Sequence, residues 1–261
     1  MSSTVAKAIA LLDYFSEEDP MIGLSDLARR SKIDKATVHR MMNVMADAGL
    51  VEQHADSKLY RLGAGIIRMA RIRETCFPVT AIIDEALESL MENTGETSHA
   101  SMISGRALGT IGICDSHKSS RVSLEAGQLL SFTGTASGLA ALAFSDLASI
   151  DRVLGADIEK VTQKTITDPA KIQWQISAIK SDGFAYANQT FEDDVYGIAS
   201  PIFDETGFAV GSMAVASPAH RMTDEKRLQT TAFVVQSAKD VTAKLGGKFP
   251  ASYKRSKAFT L

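Results

Sequence analysis

The chain has 261 residues, 45% of them apolar and 23% charged, and a formal net charge of −3. It is long enough for two domains with buried cores, and its composition is ordinary for a globular protein. No apolar run approaches the roughly 18–20 residues that span a bilayer. The N-terminal stretch carries Asp13, Glu17, Glu18 and Asp19 without a secretion-type cleavage pattern. Cys76 and Cys114 are too far apart for a CxxC metal knuckle and too few for a disulfide framework. A cytoplasmic protein with no membrane partner is expected.

Thr4 is placed to cap a helix in which Val5, Ala8, Ile9, Leu12 and Phe15 form one apolar stripe. After the acidic EED-Pro segment, Ser25 is the predicted N-cap of a short helix from Asp26 to Ser31, with Leu27 and Ala28 inward. Asp34 caps the next helix, whose apolar face is Val38, Met41, Met42 and Met45 and whose end is marked by Gly49. The opposite face presents Lys35, Ala36, Thr37, His39, Arg40 and Asn43. Two helices, a brief turn and an exposed cationic face describe a helix-turn-helix.

Leu50-Val51-Glu52, a polar turn from His54 to Lys58 and a return strand, Leu59–Leu62, then read as a hairpin wing. Lys58 at its tip, with Tyr60 and Arg61 on the return strand, suits phosphate or minor-groove contact. Ser25 is grouped with these DNA-facing positions. Between Leu24 and Arg73 there are ten Lys or Arg against five Asp or Glu, while the chain beyond Arg73 is acidic. Such asymmetry fits a nucleic-acid-binding head on an acidic body, although a solvated surface also produces it.

The run LSDLARRSKIDKATVHRMMNVMADAGLVEQHADSKLYRLG resembles the winged head of IclR-type transcriptional regulators. The resemblance continues through TGTASGLAALA and GIASPIFDETGFAVGSMAVASPAHRMT. It implies an α+β protein made of an N-terminal winged helix-turn-helix (1–63), a linker helix (64–77), a C-terminal GAF-like α/β effector-binding and oligomerisation domain (78–246) and a basic tail (247–261). It also implies a homodimer or dimer of dimers acting on a pseudo-palindromic double-stranded DNA operator, more as a repressor than an activator. A small organic acid or related carbonyl metabolite is the implied effector. Lys35, Thr37 and Arg40 fall where base and phosphate contacts belong, and Ala36 replaces a serine common in relatives.

Beyond the head, Ala64–Glu74 has helical spacing, and Pro78 interrupts it before an amphipathic helix over Val79–Asn93. Strands are expected at HASMIS, TIGIC, RVSLE, FAYANQTF, YGIASPIF and AVGSMAVAS, and helices at Ala136–Phe144, Leu147–Leu154, Asp168–Ser181 and Asp224–Leu245. The tail is expected to be loosely held. The resemblance places the effector against Val122, Leu130, Phe132, Ala136, Ser137, Asp193, Tyr196, Gly197, Ala214 and Ala216. Glu192 or Asp194 are alternatives to Asp193. Backbone N–H groups at the helix opening by Gly134, Ala136 and Ser137 suit an oxygen atom, and Val122, Leu130 and Phe132 supply apolar walls.

No GxSxG, HExxH, P-loop or GxGxxG occurs, and the five histidines lack metal-ligand spacing. Neither catalytic residues, metal nor cofactor are therefore expected. The minority readings are a thiol-responsive or ligand-independent regulator, and an enzyme built on Cys114-Asp115-Ser116-His117.

Overall fold

The computed structural model describes residues 4–16, 18–105 and 107–253, which form two compact units with the boundary after Pro78. In the first, α1 (Thr4–Ala10) and a 3₁₀ turn (Leu12–Tyr14) precede α2 (Leu24–Ser31) and α3 (Lys35–Asp47). The N-cap of α2 is Gly23, without a side-chain bond, so Ser25 sits inside the first turn and does not cap it. The helix starts earlier than Ser25 suggests because Leu24 packs on the head core and the Gly23 carbonyl accepts the Leu27 N–H at 3.0 Å. The α3 cap is as the sequence predicts: Asp34 accepts the Thr37 N–H at 2.9 Å. Val38, Met41, Met42 and Met45 then bury against Leu11, Leu27 and Val51.

The wing consists of β1 (Val51–Gln53) and β2 (Tyr60–Leu62), antiparallel with Val51 opposite Leu62. Ile22 and Tyr60 exchange two backbone hydrogen bonds of 2.9 Å, tying the wing to the segment before α2. Gly49, at φ 73°, turns the chain out of α3. There the backbone passes very close to the start of α4 (Ala64–Cys76): a Cβ on Gly63 or Gly65 would lie 2.4 or 2.6 Å from the Gly49 carbonyl oxygen. That oxygen instead accepts the Gly65 N–H at 2.9 Å. None of the α4 side chains is buried.

The second unit runs α5 (Val79–Thr94), β3 (Thr97–Ser104), β4 (Ala107–Cys114), β5 (Leu129–Leu130), α6 (Ala136–Ala143), α7 (Leu147–Leu154), α8 (Pro169–Asp182), β6 (Ala185–Asn188), β7 (Val195–Phe203), β8 (Ala209–Pro218) and α9 (Asp224–Lys244). Its six strands form one antiparallel sheet in the order β5-β4-β3-β8-β7-β6. The expected strand RVSLE is not formed. The short Leu129–Leu130 strand pairs with β4 in its place, while 121–125 crosses as irregular chain.

Strand alternation sends neighbouring residues to opposite layers. On β7 and β8, Ile198, Ile202, Met213 and Val215 pack beneath α5 and α9. Ala199, Phe203 and Ala214 pack beneath α6 and α8. The α6 layer is made of small residues, and the helix lies close on its neighbours: a Cβ on Gly138 would meet the Ser131 carbonyl oxygen at 2.1 Å.

The first part of the tail is docked, contrary to expectation. The Lys248 N–H donates to the Asp204 carbonyl at 2.8 Å. Tyr253 inserts between Phe144, Phe203 and Phe249, with ring centroids 5.2–5.8 Å away. Aromatic burial of this kind outweighs the entropy of a short terminal segment. The remaining tail lies outside the described residues.

Candidate DNA-reading surface and effector pocket

In the head, Lys35, Ala36, His39 and Arg40 are exposed along one side of α3, and Thr37 is half-buried beside them. Arg40 Nη2 donates to Thr37 Oγ1 at 3.2 Å, which holds the guanidinium along the helix surface. The Thr37 hydrogen bonds at Asp34 hold that carboxyl below its ordinary value, so the cap stays ionised. Lys58 is exposed at the wing tip in a left-handed conformation, φ 57°. Arg61 is exposed but paired, its Nη2 2.9 Å from Glu52 Oε2, and the other Glu52 oxygen accepts the Ala64 N–H at 3.1 Å. Ser25 is exposed on α2.

Tyr60 is a correction. Its side chain is 1% exposed, in the head core, and so is not available to a phosphate. On a three-residue strand, Tyr60 and Arg61 must point to opposite faces, and the apolar ring takes the inner one.

In the second unit a cavity of about 50 Å³, open to solvent at its mouth, lies between α6 and the sheet. Seven of the expected residues line it: Val122, Leu130, Ala136, Ser137, Gly197, Ala214 and Ala216. The other three do not. Tyr196 follows strand alternation to the α5–α9 face, with its ring 6.0 Å from Tyr186, because its neighbour Gly197 takes the pocket face. Phe132 lines a separate groove with Arg152 and Val153, on the far side of the 131–134 turn. Asp193 is exposed; Glu192, also exposed, is the carboxylate that lines the cavity in its place. Partial burial pushes the Glu192 carboxyl above its ordinary value.

The cavity has a lining residue that sequence reasoning missed. His99, on β3, is 6% exposed, and its Nε2 lies 3.0 Å from Ser137 Oγ. Its Nδ1 is buried and has no partner. Burial lowers its pKa to about 4. The available signal was an imidazole within an otherwise small and apolar strand, HASMIS.

The segment over one side of the pocket is held down by buried groups. Thr97 Oγ1 donates to the Val122 carbonyl at 2.8 Å. Next to it, Glu96 is fully buried and bonded to Lys118 (2.9 Å), Arg221 (2.6 Å) and Lys226. Burial alone would raise this carboxyl, but the three cations outweigh it and hold the value at about 2.

Residues 4–55 match the IclR helix-turn-helix domain, and residues 75–243 match the bacterial transcriptional regulator IclR C-terminal domain. The chain belongs to the IclR family. A crystal structure of an IclR-type regulator from Silicibacter sp. TM1040 superposes with a TM-score of 0.90 at 38% identity, over 96% of this chain and 99% of that one. The HTH-type transcriptional regulator BhcR of Paracoccus denitrificans is 26% identical, over 90% of this chain and 85% of its own. The transcriptional repressor IclR of Escherichia coli is 23% identical, over 94% and 90%.

In this IclR-family regulator the winged head is the DNA-binding domain and the second unit is the family's C-terminal domain. Burial raises the pKa of the Cys114 thiol, and the negative charges of Glu88, Asp115 and Glu92 raise it further. That environment disfavours the thiolate on which redox sensing or nucleophilic chemistry depends. Among the described residues no group of three or more His, Cys, Asp or Glu is arranged to hold a metal ion, and no helix is long and apolar enough to cross a membrane.

Proposed function

We propose that the chain is a repressor of a catabolic operon. It binds a pseudo-palindromic operator as a dimer or dimer of dimers and is controlled by a small organic acid or related carbonyl metabolite in the α6 pocket. The observation that carries this reading is a walled cavity with a polar end, formed in a regulator whose head presents the unobstructed face of α3. Lys35, Thr37 and Arg40 read or position the DNA, with Ala36, His39 and Ser25 beside them and Lys58 and Arg61 on the phosphates. Val122, Leu130, Ala136, Ser137, Gly197, Ala214 and Ala216 hold the effector, joined by Glu192 and His99.

Self-association is supported by apolar surface on two helices of the head. Val5 and Ile9 on α1, and Ile67 and Ile72 on α4, are 55–67% exposed. Exposed apolar side chains of this kind favour a partner over water, and paired heads would match a two-fold operator.

Regulation without catalysis is supported by the relatives, which are transcriptional regulators. Ligand must bind one arrangement of the heads better than another for any control to follow.

Footprinting and sedimentation of the full chain with and without candidate effectors test the reading. Protection of a two-fold site that changes with effector supports it. A monomer that protects no DNA refutes it.

A further inference from the structure

We infer that His99 makes the pocket a site for a small carboxylate and a proton together: the anion is received at the opening of α6, and His99, which holds the Ser137 hydroxyl there, is protonated as it binds. The inference rests on the α6 pocket being the effector site.

The first ground is the set of donors. The first turn of α6 leaves the Ala136 and Ser137 N–H groups without acceptors, since Thr135 Oγ1 takes the Gly138 N–H at 2.9 Å and the Thr135 carbonyl takes that of Leu139 at 3.0 Å. Such groups, at the positive end of a helix, bind anionic oxygen. Gly197 keeps the approach clear, because a Cβ there would lie 3.2 Å from the Ala136 Cβ and 3.9 Å from its nitrogen. Ser137 adds its hydroxyl. His99 Nε2 lies 3.0 Å from Ser137 Oγ, and an Nε2–H that donates to this oxygen leaves the serine proton for a ligand. Ala136, Ser137 and His99 all line the cavity.

The second ground is charge. No Lys or Arg lines the cavity, so no fixed cation balances an anion inside it. His99 is the one group of the lining that can become a cation. It is 6% exposed, and its Nδ1 is committed to no partner. Burial alone lowers its pKa to about 4, which keeps the imidazole neutral at neutral pH. A carboxylate beside it favours the protonated form and raises that value. Its strand partners, Ile113 on β4 and Ala214 on β8, carry no charge. Ser137 on α6, and Val122 and Leu124 on the segment crossing the pocket, do not titrate near neutrality. Glu192 is the other titratable group of the lining, and it is exposed.

The test is calorimetric titration of the full chain with trifluoroacetate and pentafluoropropionate, which stay ionised at every pH used, against the isosteric neutral trifluoroacetamide. Repeating each titration in two buffers of different ionisation enthalpy reads the protons taken up. Both anions are expected to bind with proton uptake and more tightly than the amide. Their affinity is expected to rise roughly tenfold from about pH 7 to 5, as the anion carries the imidazole back toward its ordinary 6.5. His99→Gln, which keeps a donor for Ser137, is expected to abolish the uptake and flatten the profile, whereas Glu192→Gln keeps both. If His99→Gln melts early, NMR of the unaltered chain carrying isotope-labelled histidine reads the same point: the His99 titration is expected to move up when trifluoroacetate is added. Anions that bind without proton uptake, uptake that persists in His99→Gln, or no binding of either anion would each overturn the inference. Ala216→Leu, which fills the cavity, separates this from the underlying reading. Anion binding unchanged in Ala216→Leu removes the pocket as the effector site, whereas binding that is lost in Ala216→Leu yet independent of pH removes only the role of His99.

Discussion

Arg40 and Thr37 are joined on the surface of α3 by a hydrogen bond of 3.2 Å, and Thr37 is itself held at the Asp34 cap. The guanidinium thus starts from a fixed position one turn into the helix, and little side-chain entropy remains to be lost when it meets a base. Arg40→Ala is expected to weaken operator binding by about 1–3 kcal/mol, roughly five- to 150-fold, and to relax preference at one base position. Lys58→Ala is expected to weaken all sequences alike and to flatten the salt dependence by about one counter-ion. Footprinting across a salt series distinguishes the two. Identical profiles for both variants would contradict the assignment.

The wing supplies a second prediction, because Tyr60 is buried and its hydroxyl has no partner. Tyr60→Phe removes an unsatisfied polar atom and is expected to leave DNA binding unchanged and the head as stable or slightly more so, by up to about 1 kcal/mol. Tyr60→Ala leaves a cavity and is expected to cost about 3–5 kcal/mol. Urea denaturation measures both. A loss of operator affinity in a fully folded Tyr60→Phe would restore Tyr60 to the DNA surface.

Acid stability follows from two buried groups of the second unit. His99 takes a proton near pH 6.5 when unfolded but only near 4 when folded. Below 6.5 the unfolded chain therefore binds more protons, and stability falls as pH drops from 6.5 to 4, by roughly 3 kcal/mol. Glu96 has the opposite chemistry and the same consequence. Its folded value of about 2 lies below the ordinary 4.5, so its stabilisation is present above 4.5 and is lost as pH falls toward 2. Denaturation midpoints from pH 7.5 to 3 should show both windows, and His99→Phe should flatten the upper one. An upper window unchanged by His99→Phe would assign it to another group.

The docked tail gives a fourth prediction. Tyr253→Ala removes a ring that touches Phe144, Phe203 and Phe249. It is expected to cost about 2–4 kcal/mol in the second unit without altering the affinity of the head for DNA. Far-UV melting with operator titration checks this, and an unchanged melting temperature would mean that the segment is held from outside.

Much of the fold was legible because its signals are local. Asp34 three residues before an N–H it bonds, four apolar residues at helical spacing on α3 and Gly49 at positive φ all declare themselves within one turn. The errors arose where the answer depends on another strand. Tyr60 beside Arg61, and Tyr196 beside Gly197, cannot share a face, and which of each pair turns inward is decided by what packs on the sheet. RVSLE has the composition of a strand, yet β4 pairs with Leu129–Leu130. His99 went unnoticed because its partner is 38 residues away, and no spacing rule reaches that far. Asp193 and Glu192 differ by one position in an irregular segment, where nothing periodic distinguishes them.

The backbone contact at Gly49, Gly63 and Gly65 has a mechanical consequence. With no side chain between them, the exit of α3 and the entrance of α4 are fused through a shared carbonyl. The thirteen residues of α4, about 20 Å long at 1.5 Å per residue, therefore start at a point held against the end of α3. A side chain at Gly63 or Gly65 would have to push these two segments apart, because no space separates them from the Gly49 carbonyl.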